Sequence, residues 1–115
     1  MKNIKDNIDH LNVLRKIQNN PDASQREMAK ELGFSLGKLN YCLSALKSKG
    51  LVKVNNFRQN KNKINYIYIL TPKGIIQKTN LTIKFMKLKM KEYDELNNEL
   101  IEEKNKITLN QKEKK

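Results

Sequence analysis

The 115-residue sequence predicts a mainly α-helical fold with one small β-hairpin. Three observations predict it. Two short capped helices meet across a tight turn; the apolar rhythm then shortens to a period of about 2; and a long, heptad-patterned helix follows. That order describes a winged helix-turn-helix followed by a long C-terminal helix.

The first helix is read from Ile4, Ile8, Leu11, Leu14 and Ile17, which recur every three or four residues and so share one face. Asn19-Asn20-Pro21-Asp22 ends it, because Pro has no amide hydrogen and clashes with a preceding helical turn. Ser24-Gln25-Arg26-Glu27 forms a capping box: the Ser hydroxyl accepts from the amide of Glu27, and the Glu carboxylate reaches back. Such a cap is worth about 1 kcal/mol. Met28, Ala29 and Leu32 supply the apolar side of this second helix, and Gly33 ends it. Phe34 alone separates Gly33 from the next N-cap, Ser35. The third helix is expected from about Leu36 to Lys49, with Leu36, Leu39, Leu43 and Leu46 as its core face. Gly50 suits the left-handed position that closes it.

After Gly50 the pattern becomes that of strands. Leu51–Val54 and Ile64–Leu70 are rich in β-branched and aromatic residues, and residues 55–63 between them form a polar, cationic wing loop. Thr71-Pro72 reads as an N-cap with Pro at the first helical position. One helix is expected from there to about Lys106. In its heptads Ile83, Met90, Asn97 and Lys104 occupy one seam position, and Met86, Tyr93, Leu100 and Ile107 the other. Polar Asn97 and Lys104 favour few strands and a fixed register. The seam makes this a dimerisation helix, with Ile83, Met86, Met90, Tyr93, Asn97, Leu100 and Ile107 as the contact residues. A second stripe, Leu81, Phe85 and Leu88, is expected to pack on its own domain. The division that follows is a winged helix-turn-helix domain at 1–74, a dimerisation helix at 75–108 and a disordered polar tail at 109–115.

Charge points to the partner. The formal net charge is +12, with Lys, Asn and Ile at 21, 16 and 11 residues, the bias of an AT-rich coding sequence. Position is more informative than the total. Residues 1–90 carry 18 bases and 5 acids, whereas 91–115 carry 6 bases and 7 acids. Between Glu31 and Glu92 lie 60 residues with 13 Lys or Arg and no acid. Codon bias adds lysines but does not remove carboxylates from one half of a chain. A long acid-free basic tract is the electrostatic footprint for a polyanion, above all nucleic acid.

The third helix carries that reading to particular residues. Opposite its leucines lie Gly37, Lys38, Tyr41, Ser44, Ala45 and Ser48, with Asn40 and Lys47 on the flanks. Such a small polar face fits the DNA major groove, roughly 12 Å wide. Ser35, Gly37, Lys38, Asn40, Tyr41, Ser44, Lys47 and Ser48 are the candidate recognition-helix contacts. Arg58, Lys61 and Lys63 are the candidate wing contacts, on the backbone or in the minor groove, where Arg is favoured by the negative potential.

Enzymatic chemistry is not expected. One His, one Cys, no Gly-rich phosphate loop and no paired carboxylates in the basic half leave no catalytic set. No cofactor and no metal is expected. Asp94, Glu95, Glu99, Glu102 and Glu103 read as solvated helix positions, and His10 as a surface residue. Cys42, one turn from Lys38, could act as a redox-sensing thiol, but a buried Cys behaving as a small hydrophobe explains it better. No run of 18 apolar residues predicts a membrane span and no apolar block opens the chain, so a cytoplasmic protein is expected.

Ser24–Gly33, the run Ser35-Leu36-Gly37-Lys38-Leu39-Asn40-Tyr41-Cys42-Leu43, Lys49–Lys53 and Leu70-Thr71-Pro72-Lys73-Gly74 resemble the MarR-type winged-helix regulators. The likeness is to their short subgroup associated with exopolysaccharide biosynthesis and covers about residues 8–100. It implies a bacterial, nucleoid-associated transcriptional regulator that binds duplex DNA as a dimer, with Leu36–Lys49 as recognition helix and exopolysaccharide genes as targets. Typical members pair through helices from both chain ends and often hold a phenolic ligand. Here the N-terminal extension is short and a single helix follows the wing. This argues against a small-molecule effector and leaves pairing to the seam. The rival expectation is a protein-interaction module, a winged helix whose long helix docks on a different protein.

Overall fold

The computed structural model describes residues 4–60 and 63–113. The elements run α1 (Ile4–Asn19), α2 (Gln25–Leu32), α3 (Leu36–Ser48), β1 (Val52–Asn60), β2 (Lys63–Leu70) and α4 (Pro72–Glu113). This is the winged helix-turn-helix followed by a long helix. The chain divides into two units, the head up to Thr82 and a distal helix from Ile83.

The core of the head is built by α1, α2 and α3. Leu14, Ile17, Met28, Leu39, Leu46 and Val13 are its most deeply buried side chains. α1 touches α3, α2 and β2, so it is covered on more than one side. That explains two departures from the expected stripe: Val13 is fully buried, and His10, expected at the surface, is only 6% exposed. Leu36 departs the other way, at 42% exposed. It is the first residue of α3, one turn ahead of Leu39, where the buried face begins.

The hinge between α2 and α3 is set by local chemistry. Ser24 and Ser35 are extended N-caps whose hydroxyls accept from the amides of Glu27 and Lys38, each at 3.1 Å. Gly33 adopts φ 72°, and the amide of Phe34 donates to Ala29 O at 2.8 Å, closing α2 and turning the chain within a few residues. Lys16 pairs with Glu31 at 2.6 Å, tying α1 to α2.

The hairpin is longer than expected. The loop placed at 55–63 is largely strand: Asn55 pairs with Ile67, Asn56 with Tyr66, Phe57 with Asn65 and Arg58 with Ile64, with an irregularity between Arg58 and Asn60. In the register, polar residues of β1 mostly stand opposite β-branched or aromatic residues of β2, the residue types with high strand propensity. α4 likewise runs past the expected end near Lys106 to Glu113, so residues 109–113 are helical rather than a disordered tail.

The junction between β2 and α4 is clamped to the end of α3. The Thr71 amide donates to Leu51 O at 3.0 Å, its hydroxyl donates to Gly50 O at 2.6 Å, and the same oxygen accepts from the Gly74 amide at 3.0 Å. A Cβ on Gly74 would lie 1.9 Å from Leu51 O. Only glycine fits there.

In the distal unit, Phe85 and Leu88 are half-buried and the other described side chains are exposed. Among the described residues no helix is long and apolar enough to cross a membrane.

Candidate nucleic-acid interface

α3 presents two faces of opposite character. Leu39, Cys42, Leu43 and Leu46 are buried, while Gly37, Asn40, Tyr41, Ser44, Lys47 and Ser48 are exposed. Tyr41 is the most prominent, at 68% exposed. Ser35, also exposed, is occupied as the N-cap. Nothing lies within 4 Å of where a Cβ on Gly37 would point, so the helix surface there is bare. The exposed face thus lacks bulky aliphatic groups from Gly37 to Ser48, and no carboxylate belongs to α3 itself.

Lys38 differs from the others. It is part-buried, its Nζ lies 3.2 Å from Asp9 Oδ2, and the same nitrogen stands 4.2 Å over the Phe34 ring. Asp9, on α1, brings a carboxylate to the edge of the basic face, and Phe34 supplies a cation–π contact that orients the ammonium. Neither partner was singled out from the sequence. Asp9 carries no local signal, whereas Phe34, the sole residue between the end of α2 and the next cap, could have been noticed as a side chain free to lie under α3.

Asp6, Asp9, His10, Lys38, Tyr41 and Cys42 line one cleft of about 430 Å³ between α1 and α3. Burial pushes the Cys42 thiol above its ordinary value, Asp9 and Asp6 add to the rise, and Lys38 opposes it. A buried thiol beside two carboxylates is a poor nucleophile, so Cys42 is a small core residue rather than a reactive thiolate. Among the described residues no group of three or more His, Cys, Asp or Glu could hold a metal ion.

For the wing, β1 and β2 place Arg58 and Lys63 toward the distal end of the hairpin. Their side chains, and all of Lys61, lie outside the described residues. The seam candidates lie on α4, with Ile83, Met86, Met90, Tyr93, Leu100 and Ile107 all exposed large apolar side chains and Asn97 exposed among them.

Fold and helix face together define the class as a winged helix-turn-helix. Residues 10–53 match the family described as winged helix-turn-helix DNA-binding. No curated protein sequence matches the chain. Solved structures do. MarR of Staphylococcus aureus in complex with salicylate and kanamycin is 21% identical with a TM-score of 0.60, over 76% of this chain and 57% of that one. FabT of Streptococcus pneumoniae in complex with DNA is 25% identical with a TM-score of 0.56, over 74% and 57%. ZitR of Lactococcus lactis, a zinc-responsive MarR family member, is 18% identical with a TM-score of 0.57, over 86% and 64%. The chain therefore has the fold of these MarR-type structures and spans 57–64% of their length.

Proposed function

We propose that the chain is a sequence-specific, double-stranded-DNA-binding transcriptional regulator that acts as a homodimer. The observation that carries this is the exposed α3 face from Gly37 to Ser48, set in a tract of 60 residues without an acid. A slender polar helix face lets the backbone enter a major groove, and the surrounding lysines replace counterions on the phosphates. The FabT structure, of the same fold, holds DNA. Ser35, Gly37, Lys38, Asn40, Tyr41, Ser44, Lys47 and Ser48 read the groove or its phosphates, and Arg58, Lys61 and Lys63 in the wing hold the backbone or minor groove. The exposed seam from Ile83 to Ile107 joins two copies. Each copy engages one half-site, spaced by about one DNA turn or a multiple of it. The site of action is the nucleoid of a bacterial cytoplasm. The likeness of Ser35–Leu43 to the exopolysaccharide-associated subgroup extends the proposal to genes of polysaccharide synthesis.

Selection of duplexes from a random pool by the purified chain tests this reading. The expected result is an enriched pseudo-palindromic motif. Tyr41→Ala and Asn40→Ala should relax preference at particular base pairs, while Lys47→Ala weakens binding to all sequences alike. Recovery of no motif, or an unchanged motif with all three variants, would reject α3 as the reading helix.

A further inference from the structure

The distal helix is divided by charge. Residues 84–91 carry Lys84, Lys87, Lys89 and Lys91 and no acid, whereas 92–103 carry six acids and no Lys or Arg. The ion pairs on this helix among the described residues are Lys89–Glu92 at 3.7 Å and Lys106–Glu103 at 3.6 Å. Each bridges an edge of the acidic run. Inside the runs, Lys87 and Asp94 have no ionic partner among the described residues, and the apolar seam between them is open to water.

We infer that this face is covered by a second copy of the chain running antiparallel, with the basic run of each helix lying on the acidic run of the other. The inference rests on the dimer proposed above and adds its direction and register. In a parallel, in-register pair each acidic run would stack on its twin, and Lys104 would meet Lys104 inside the seam. Like charges held closer than a Debye length, about 8 Å, repel with little screening. Reversing one helix turns both clashes into complementarity. The two-fold axis then passes between Lys91 and Glu92. Ile83 meets Leu100 of the second copy, Met86 meets Asn97, Met90 meets Tyr93, and Lys87 flanks Asp94. These are alternating seam positions, as antiparallel helix pairing requires.

The test is thiol cross-linking of the full chain with Cys42 replaced by Ala, using a short bismaleimide. Ile83→Cys and Leu100→Cys are made singly and together. In the antiparallel register each position lies 17 residues, about 25 Å, from its own twin, beyond the reach of the reagent. The double variant should therefore run as a covalent dimer and both single variants as monomers. An Asn80→Cys, Ile101→Cys pair flanking the seam, both exposed and each about 28 Å or more from its own twin in this register, repeats the comparison should seam cysteines weaken pairing. Self-linking of either seam variant would show parallel pairing and overturn the inference while leaving the dimer intact. A chain that sediments as a dimer with no link in either double variant would overturn the register. A parent chain that sediments as a monomer would instead defeat the dimer reading itself.

Discussion

Leu39 and Leu100 are the same residue type within helices, yet Leu39 is fully buried and Leu100 is 52% exposed. The contrast holds for the units they belong to. The head encloses Leu14, Leu39 and Leu46 between α1, α2 and α3 and satisfies its turns through caps at Ser24, Ser35 and Thr71. The distal helix shows most of its apolar side chains to water from Ile83 to Leu109. A helix this long is held together locally, by its own hydrogen bonds and by i,i+3 ion pairs worth only a few tenths of a kcal/mol each. Burial is internal to the head, whereas the distal stripe from Ile83 to Leu109 is exposed.

The largest expected effect breaks the head alone. Gly74→Ala drives a Cβ into the Leu51 carbonyl and should cost about 3 kcal/mol or more, read as a lowered midpoint in urea denaturation. Leu100→Ala, in contrast, should leave that midpoint within about 0.5 kcal/mol when measured on dilute chain. A shift as large as that of Gly74→Ala would erase the distinction between the two units.

Asn97→Leu sharpens the other side. Replacing a polar seam residue by an apolar one should alter the dimer, tightening it by about tenfold in sedimentation equilibrium, or about 1.4 kcal/mol, without moving the melting of the head. An unaltered sedimentation profile would remove Asn97 from the seam.

Asp9→Asn acts between stability and function. The Lys38–Asp9 pair is partly solvated, so its loss should cost the head no more than about 1 kcal/mol. It also frees Lys38 for phosphate and removes a carboxylate from the edge of the interface. Affinity for DNA in fluorescence anisotropy should rise by up to about fivefold. Weaker binding would mean that the pair positions Lys38 rather than restraining it.

The smallest effect is in pH dependence. The Cys42 thiol is held above its ordinary value of 9.0 by burial and by Asp9 and Asp6. In the unfolded chain the thiol ionises first, so the contribution of Cys42 to stability is full below that value and falls as pH rises through the folded pKa. Cys42→Ala should flatten the decline in urea midpoint above about pH 9. An identical decline in both proteins would assign it elsewhere.

The parts of the fold that were legible in the sequence are those decided within a few residues. Ser24, Gly33, Ser35 and Gly50 mark their helix ends because the cap hydrogen bonds and positive φ angles involve near neighbours. What depends on distant neighbours was not legible. His10 is buried because α1 is packed on more than one side, and the wing is mostly strand because residues of β2 impose the pairing on Asn55, Asn56 and Arg58. In the candidate site, helical periodicity marks the polar face of α3, opposite Leu39, Leu43 and Leu46. The Asp9 and Phe34 contacts to Lys38 exist only once α1 and the turn have folded against α3.

In the proposed complex two copies of an acid-poor helix face engage one duplex together, and the salt dependence of binding to a selected duplex distinguishes this from engagement by one copy. With four or five phosphate contacts per copy, log K should fall against log salt with a slope of roughly −7 to −9. A slope near roughly −2 would contradict two-headed binding.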